Sequence, residues 1–253
     1  MVYVVLTIAA LLASALSGML GMGGGMLLLA LMFSFLPYDE AIPLHGAVQF
    51  ISNSTRTFAF LKHVDWRTVR HFLLGAVPGS VIGVGVLVAV GKAEGSEPYL
   101  KTLVGLYILA SLVIPKPVSV DRAPSGRAFV LLGLAAGAAA FVVGAVGPLI
   151  APLFARRDFV KERLVATKAI CQTLLHAAKV PVFLALRSYP DLPALGALAI
   201  AMGVAVIPGT LIGKRLLKGL SERAFVRLYQ VALLVAGLKV LIVDGVLAVA
   251  RSG

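Results

Sequence analysis

The sequence predicts an all-α polytopic membrane protein made of two inverted-topology repeats, each a glycine-broken helical hairpin followed by three full transmembrane helices. Three observations carry this reading. Hydrophobic residues make up 60% and charged residues 13% of the 253-residue chain, against roughly 45–50% and about 25% in soluble domains, so water cannot be the solvent for most of its surface. The chain matches itself at a fixed offset. Its loop cations gather on one side once the two glycine-rich runs are folded back.

The first half contains four apolar runs, Val2 to Phe35, Ala41 to Leu61, Thr68 to Val90 and Tyr99 to Ile114. As one helix the first run would measure about 51 Å at 1.5 Å per residue, far beyond the ~30 Å hydrocarbon core. Its centre is Gly21-Met22-Gly23-Gly24-Gly25, and it is expected to break there. The start of this run mimics a signal peptide, with Ala13-Ser14-Ala15 as a small-residue cleavage site. It has no Lys or Arg before the apolar stretch, however, and the same design recurs mid-chain, so it reads as part of the mature fold.

The recurrence is the run Ala128 to Ala155, which breaks at Gly144-Ala145-Val146-Gly147-Pro148, where proline cannot donate to the helix ladder. An offset of 123 residues superposes Gly21 on Gly144, Gly24 on Gly147, Gln49 on Gln172 and Arg56 on Lys179. After a short slip, Pro78-Gly79-Ser80-Val81-Ile82-Gly83 falls on Pro208-Gly209-Thr210-Leu211-Ile212-Gly213. The chain therefore divides into a first repeat, residues 1–115, a cytoplasmic linker, 116–127, and a second repeat, 128–253. Such duplication is the usual construction of secondary transporters.

Loop charge decides the topology. If each broken run crossed the membrane once, basic loop residues would divide almost evenly between the two sides. If each folds back, fifteen gather on one side and only Lys92, Lys101, Arg187 and Arg251 remain on the other, as the positive-inside rule requires. Folding back leaves an odd number of full crossings per half, which inverts the second repeat relative to the first. Both termini are then expected outside the inner (plasma) membrane, with the two hairpin tips meeting near its centre.

The formal charge of +12 would in a soluble protein suggest nucleic acid as partner. Here the cations lie in loops and are not interleaved with aromatic residues, so nucleic-acid binding is excluded and the lipid bilayer is the expected partner. The single cysteine, Cys171, can build neither a disulfide framework nor a zinc site. No HExxH, GxSxG or phosphate-binding GxxxxGK[ST] occurs, and no pair of intramembrane carboxylates, so neither an enzyme nor a cofactor protein is expected. Asp244 lies five residues from Lys239, and pairing of the two explains both.

Polar residues inside the apolar runs are costly and usually functional. Gln49, Asn53 and Arg56, spaced by four and three, share one helix face, and Gln172, His176 and Lys179 repeat that face in the second half. Cations, amides and an imidazole with no carboxylate describe a place for a small oxyanion. For Arg56 and Lys179 a second reading stays open, that they snorkel to the nearer interface; Lys168, close to Arg163, reads as interfacial. His45 reads as a satisfied buried histidine, or a gate or proton site. Gly23, Gly24 and Gly25, and Gly147-Pro148, precede half-helices whose free N–H groups attract an anion; the competing reading is close packing of small residues.

At Gly18-x-x-Gly21-x-Gly23-Gly24-Gly25, at Gly144-x-x-Gly147-Pro148 and at the repeated Pro-Gly-[Ser/Thr]-x-Ile-Gly, the sequence resembles the TauE/SafE, or sulfite exporter, family of membrane permeases across essentially the whole chain. The resemblance implies movement of small sulfur-containing anions such as sulfite and organosulfonates across the bacterial inner membrane. Gly23, Gly24, Gly25, Gln49, Gly147, Pro148, Thr167 and Gln172 fall where the family's repeated motifs fall. The second cluster departs from the pattern in having fewer glycines than the first. The expected activity is a secondary carrier, an exporter working by alternating access, with H+ or Na+ as coupling ion and a homodimer as assembly. An anion channel and a non-transporting membrane scaffold are the alternatives.

Overall fold

The computed structural model describes residues 1–20, 24–91, 95–113, 124–154, 161–186, 189, 191–216 and 222–252. Its helices are α1 (Val2–Leu20), α2 (Gly24–Met32), α3 (Tyr38–Ala59), α4 (Trp66–Gly91), α5 (Glu97–Val113), α6 (Gly126–Val142), α7 (Gly147–Phe154), α8 (Lys161–Leu186), α9 (Leu192–Leu216) and α10 (Glu222–Leu238). A π-helical stretch, Lys239–Val246, carries α10 into a last short helix, α11 (Leu247–Ser252). No strand occurs among the described residues. Most of the 116–127 linker, with Gly21, Gly23, Lys92, Arg122 and Arg187, lies outside them.

Each long glycine-containing run is two helices. α1 ends at Leu20 and α2 begins at Gly24, while α6 ends at Val142 and α7 begins at Gly147. The turn between α6 and α7 has Gly144 at φ +84°, a conformation that disfavours any residue with a Cβ. The limbs are unequal. α1 has 19 residues and α2 has 9, or about 28 and 13 Å at 1.5 Å per residue.

Four described helical stretches are long and apolar enough to cross a membrane: Trp66–Val90, Glu162–Leu186, Leu192–Ile212 and Tyr229–Ala250. Two of the six expected full spans fall short of that measure for different reasons. α3 has 22 residues but carries Gln49, Asn53 and Arg56, which lower its hydropathy; α5 has only 17 residues. Leu74, Val77, Val81, Ile200, Val204, Leu234 and Val235 stand exposed on α4, α9 and α10, as lipid-facing side chains do.

The loops collect at two ends. At one end, the Glu97 carboxylate accepts from the Tyr38 backbone N–H at 3.0 Å, and the Tyr189 hydroxyl donates to the Asp39 carbonyl at 3.0 Å. Tyr3, near the amino terminus, lines a small cavity there with Glu40, Tyr189 and Asp191. At the other end, Arg163 pairs with Asp65 at 3.2 Å, the Asp65 N–H donates to Thr167 Oγ1 at 3.0 Å, and Gly126 lies against His71. Burial raises the Asp65 pKa, but hydrogen bonds from Thr68 and the Arg163 guanidinium more than offset it and hold the carboxyl below its usual value. Leu36, just after α2, lines the same cavity as Tyr3 of α1, and Phe129 of α6 meets Phe154 of α7 edge to face with centroids 5.4 Å apart.

The tightest packing exchanges helices between the two halves of the chain. α4 lies along α6, α1 along α9, and α3 along α8. Small residues make this possible. Cβ atoms built on Gly75, Gly79 and Gly83 would strike the backbone of Val130, Leu134 and Ala138, and those on Gly133 and Gly137 would strike Phe72 and Ala76. Gly209 meets Leu11 and Ser14 of α1 in the same manner. The repeated Pro-Gly-[Ser/Thr]-x-Ile-Gly motif is therefore a contact between halves, of the small-xxx-small kind.

The π-helical stretch accounts for the Lys239–Asp244 pair. One extra residue per turn brings positions i and i+5 together, and Lys239 Nζ reaches Asp244 Oδ2 at 2.6 Å. The sequence expectation for this pair is met.

Two alanine substitutions test the packing. Gly79→Ala should destabilise the protein by about 1–3 kcal/mol, because the new methyl has no room against Leu134. Gly85→Ala, which meets nothing within 4 Å, should stay within about 0.5 kcal/mol of wild type. Reversible unfolding in detergent measures both, and equal effects would contradict this interface.

Candidate functional site

Beside the start of α2 and the α6–α7 turn lies a polar cavity. Five helices and one turn converge on it. α1 and α2 supply Ser17, Gly25 and Met26; α3 supplies His45, Gln49, Asn53 and Arg56. The turn after α6 and the start of α7 supply Ala145, Val146, Gly147 and Pro148, and α8 supplies Lys168, Gln172 and His176. The spacing of four and three along α3 puts its polar residues on one stripe, and the close α3–α8 packing turns the matching stripe of α8 toward it.

Arg56 and Lys168 make the wall cationic, and no carboxylate lines the cavity among the described residues. Arg56 is 9% exposed and Lys168 3%. Arg56 donates to Ser52 Oγ at 2.9 Å and to Asn53 Oδ1 at 3.2 Å, leaving its Nε without a partner. Asn53 in turn donates to the Gln49 carbonyl at 2.9 Å. These bonds hold the guanidinium along its own helix, so the snorkelling alternative does not apply to it. His45 Nε2 bonds the Gly25 carbonyl at 2.9 Å, and its ring meets that of His176 edge to face with centroids 5.6 Å apart.

Of the residues singled out from sequence, the fold brings together Gly25, Gln49, Asn53, Arg56, Gly147, Pro148, Gln172 and His176. Three others sit elsewhere. Lys179 is fully buried and donates to the Gly144 carbonyl, fastening the α6–α7 turn; it does not snorkel, and its stem runs over Gly46, where a Cβ would lie 3.1 Å from it. Gly24 packs on the Ala13 backbone. Thr167 accepts from the Asp65 N–H. Gly23 lies outside the described residues. The Tyr38 hydroxyl donates to the carbonyls of Phe141, at 3.1 Å, and Val142, at 2.5 Å, securing the end of α6 beside the same turn.

Ser17, Met26, Ala145, Val146 and Lys168 also line the cavity without having been expected there, and His45 joins them. A signal for Lys168 existed. The offset of 123 residues that pairs Gln49 with Gln172 also pairs His45 with Lys168, and proximity to Arg163 in sequence obscured it. Ser17 had no such signal, because a serine inside an apolar helix most often bonds its own backbone.

Compared with known proteins, the chain matches the family described as Sulfite exporter TauE/SafE over residues 6–240. No curated protein and no solved structure matches it.

The two glycines that begin the short helices should respond differently to a methyl group. Gly24→Ala should cost about 1–3 kcal/mol of stability, since the Ala13 carbonyl fills that space. Gly147→Ala meets only Gln172 Nε2, at an ordinary 3.5 Å, and should unfold within about 0.5 kcal/mol of wild type. Thermal unfolding of the two purified variants gives the answer; an unfolding loss in Gly147→Ala as large as that in Gly24→Ala would count against it.

Proposed function

Because the chain belongs to the TauE/SafE sulfite exporter family, whose members are membrane transporters for sulfur anions rather than enzymes, we propose that it is a secondary carrier for a small sulfur-containing oxyanion such as sulfite or an organosulfonate. The observation that carries the proposal is the cavity: Arg56 and Lys168 in its wall, Gln49, Gln172 and Asn53 beside them, and no carboxylate in its described lining. Two like charges brought together out of water repel each other, and an anion between them offsets that repulsion.

The anion would be held by donors of three kinds. The guanidinium and ammonium give charge, the amides give directional N–H groups, and the starts of α2 and α7 give free backbone N–H groups with the positive end of the helix dipole. Gly25 and Gly147 keep side chains out of the way. All this suits a compact oxyanion.

Alternating access requires the cavity walls to move relative to each other. The exchanged packing bears on which units move: α4 with α6, and α1 with α9, are each locked through glycine contacts. These mixed pairs, rather than the two sequence halves, are the rigid pieces in our reading, rocking about the central α3–α8 pair. The clustering of loop contacts at two ends supports the fold-back topology and an inverted second repeat. With the positive-inside rule, it favours an inner-membrane orientation with both termini outside.

A channel would use the same residues but conduct without saturation. Sulfite flux into proteoliposomes should saturate and show counterflow; current that follows the imposed potential without saturating would establish the channel instead. In the same preparation, Gln49→Ala and Gln172→Ala should each weaken sulfite binding by about 1–3 kcal/mol, the range for a hydrogen bond to a charged group. The double variant should depart from their sum, since groups sharing one ligand couple. Strictly additive losses would mean that the two amides do not share an anion.

For topology, single cysteines replacing Val2 and Lys62 in a Cys171→Ala background should label from opposite faces of intact cells, Val2 from outside, because only α3 crosses between them if the first run folds back. Labelling of both from the same face would rule out the fold-back arrangement.

A further inference from the structure

We propose that His45 and His176 form a proton-binding site inside the anion cavity, so that a proton and the anion bind together. This rests on the anion reading above. The tautomer of His45 follows from its partner. A carbonyl oxygen can only accept, so Nε2 must carry the hydrogen it gives to Gly25. In the neutral ring Nδ1 is then a bare lone pair, buried and without a hydrogen-bond partner. His176 Nδ1 is likewise buried and unpartnered. Both residues are almost fully enclosed, at 1% and 2% exposure, and both line the cavity with their rings in contact.

The surrounding charges determine when a proton can arrive. α3 presents Arg56 with the neutral Gln49 and Asn53, and α8 presents Lys168 with Gln172. Lys179, also on α8, acts electrostatically on both imidazoles. α1 contributes Ser17, α2 the Gly25 carbonyl and Met26, and the α6–α7 turn only backbone and apolar groups. On the adjoining loop, Asp65 is engaged by Thr68 and Arg163. An imidazolium in the empty cavity therefore faces cations with no carboxylate in the described lining. An anion seated beside Arg56 and Lys168 cancels part of that repulsion, and by linkage the proton strengthens anion binding by the same factor. The same cationic surroundings exclude a metal ion from the histidine pair.

A separate structural role for the pair predicts something different: two neutral rings that pack edge to face and keep their protonation state whatever the cavity holds. The two outcomes are distinguished in the wild-type protein. The chain has four histidines, so ¹⁵N-histidine spectra of the full chain in sodium-free nanodiscs are simple enough to assign with His45→Gln and His176→Gln. On addition of sulfite at constant pH near neutrality, one of these two rings should change from the neutral to the protonated pattern. About one proton should be taken up per bound anion, read with a dye in weak buffer. In the His45→Gln, His176→Gln double variant that uptake should disappear if the proton resides on the rings, and persist if it enters as hydrogensulfite. Sulfite binding, followed independently by thermal stabilisation, with both rings still neutral would overturn the proton site while leaving the anion site intact. So would binding that requires sodium while the rings stay neutral. Absence of any sulfite binding would instead overturn the anion reading itself.

Discussion

Backbone groups freed inside a hydrocarbon layer must find partners, because no water is there to take them. A chain that breaks two helices in apolar surroundings accepts this constraint twice, between α1 and α2 and between α6 and α7. The rest of the architecture follows from meeting it. At the second break the carbonyls at the end of α6 accept from Tyr38, and Gly144 accepts from Lys179. Gly25 and the residues from Ala145 to Pro148 border the polar cavity, where the anion of our proposal would use their backbone. The position of the cavity and the tolerance for broken helices therefore have the same physical origin.

Lys179 illustrates how such a fold assigns work to equivalent positions. Its counterpart Arg56 borders the cavity and is held by Ser52 and Asn53. Lys179 is drawn the other way, over the small surface of Gly46, to bind the turn carbonyl. The cation lost from one wall is replaced by Lys168, whose counterpart in the first half is His45. The two polar stripes are used asymmetrically, yet α3 and α8 each bring one cation and one imidazole to the cavity.

The glycine contacts between α4 and α6 and between α1 and α9 join the halves more closely than either half joins itself. In a membrane, where apolar surface gains little from leaving lipid, close backbone approach and dispersion are the available source of association. Gly75, Gly79, Gly83, Gly133 and Gly137 provide it along one pair, and Gly209 along the other. The consequence is mechanical. Two tightly packed side pairs flank a polar central pair, α3 and α8, whose facing stripes form the cavity.

The sequence by itself determined the membrane class, the helix breaks and most of the cavity lining, and its self-match at an offset of 123 residues paired the polar stripes of α3 and α8. Each of these is a local or periodic property: the length of an apolar run, a glycine cluster at the centre of a run too long to cross a bilayer as one helix, a spacing of four and three on one face. Gln49, Asn53, Arg56, Gln172 and His176 could be read this way because a polar residue in an apolar helix has few inexpensive alternatives. What the sequence did not decide was which neighbour each group meets. Whether Gly24 faces an anion or the Ala13 carbonyl, whether Lys179 lines the cavity or fastens a turn, and whether Thr167 holds a ligand or the Asp65 loop depend on helices far apart in the chain. Only their packing separates a glycine that makes room for a ligand from one that makes room for another helix, since the residue itself is the same in both.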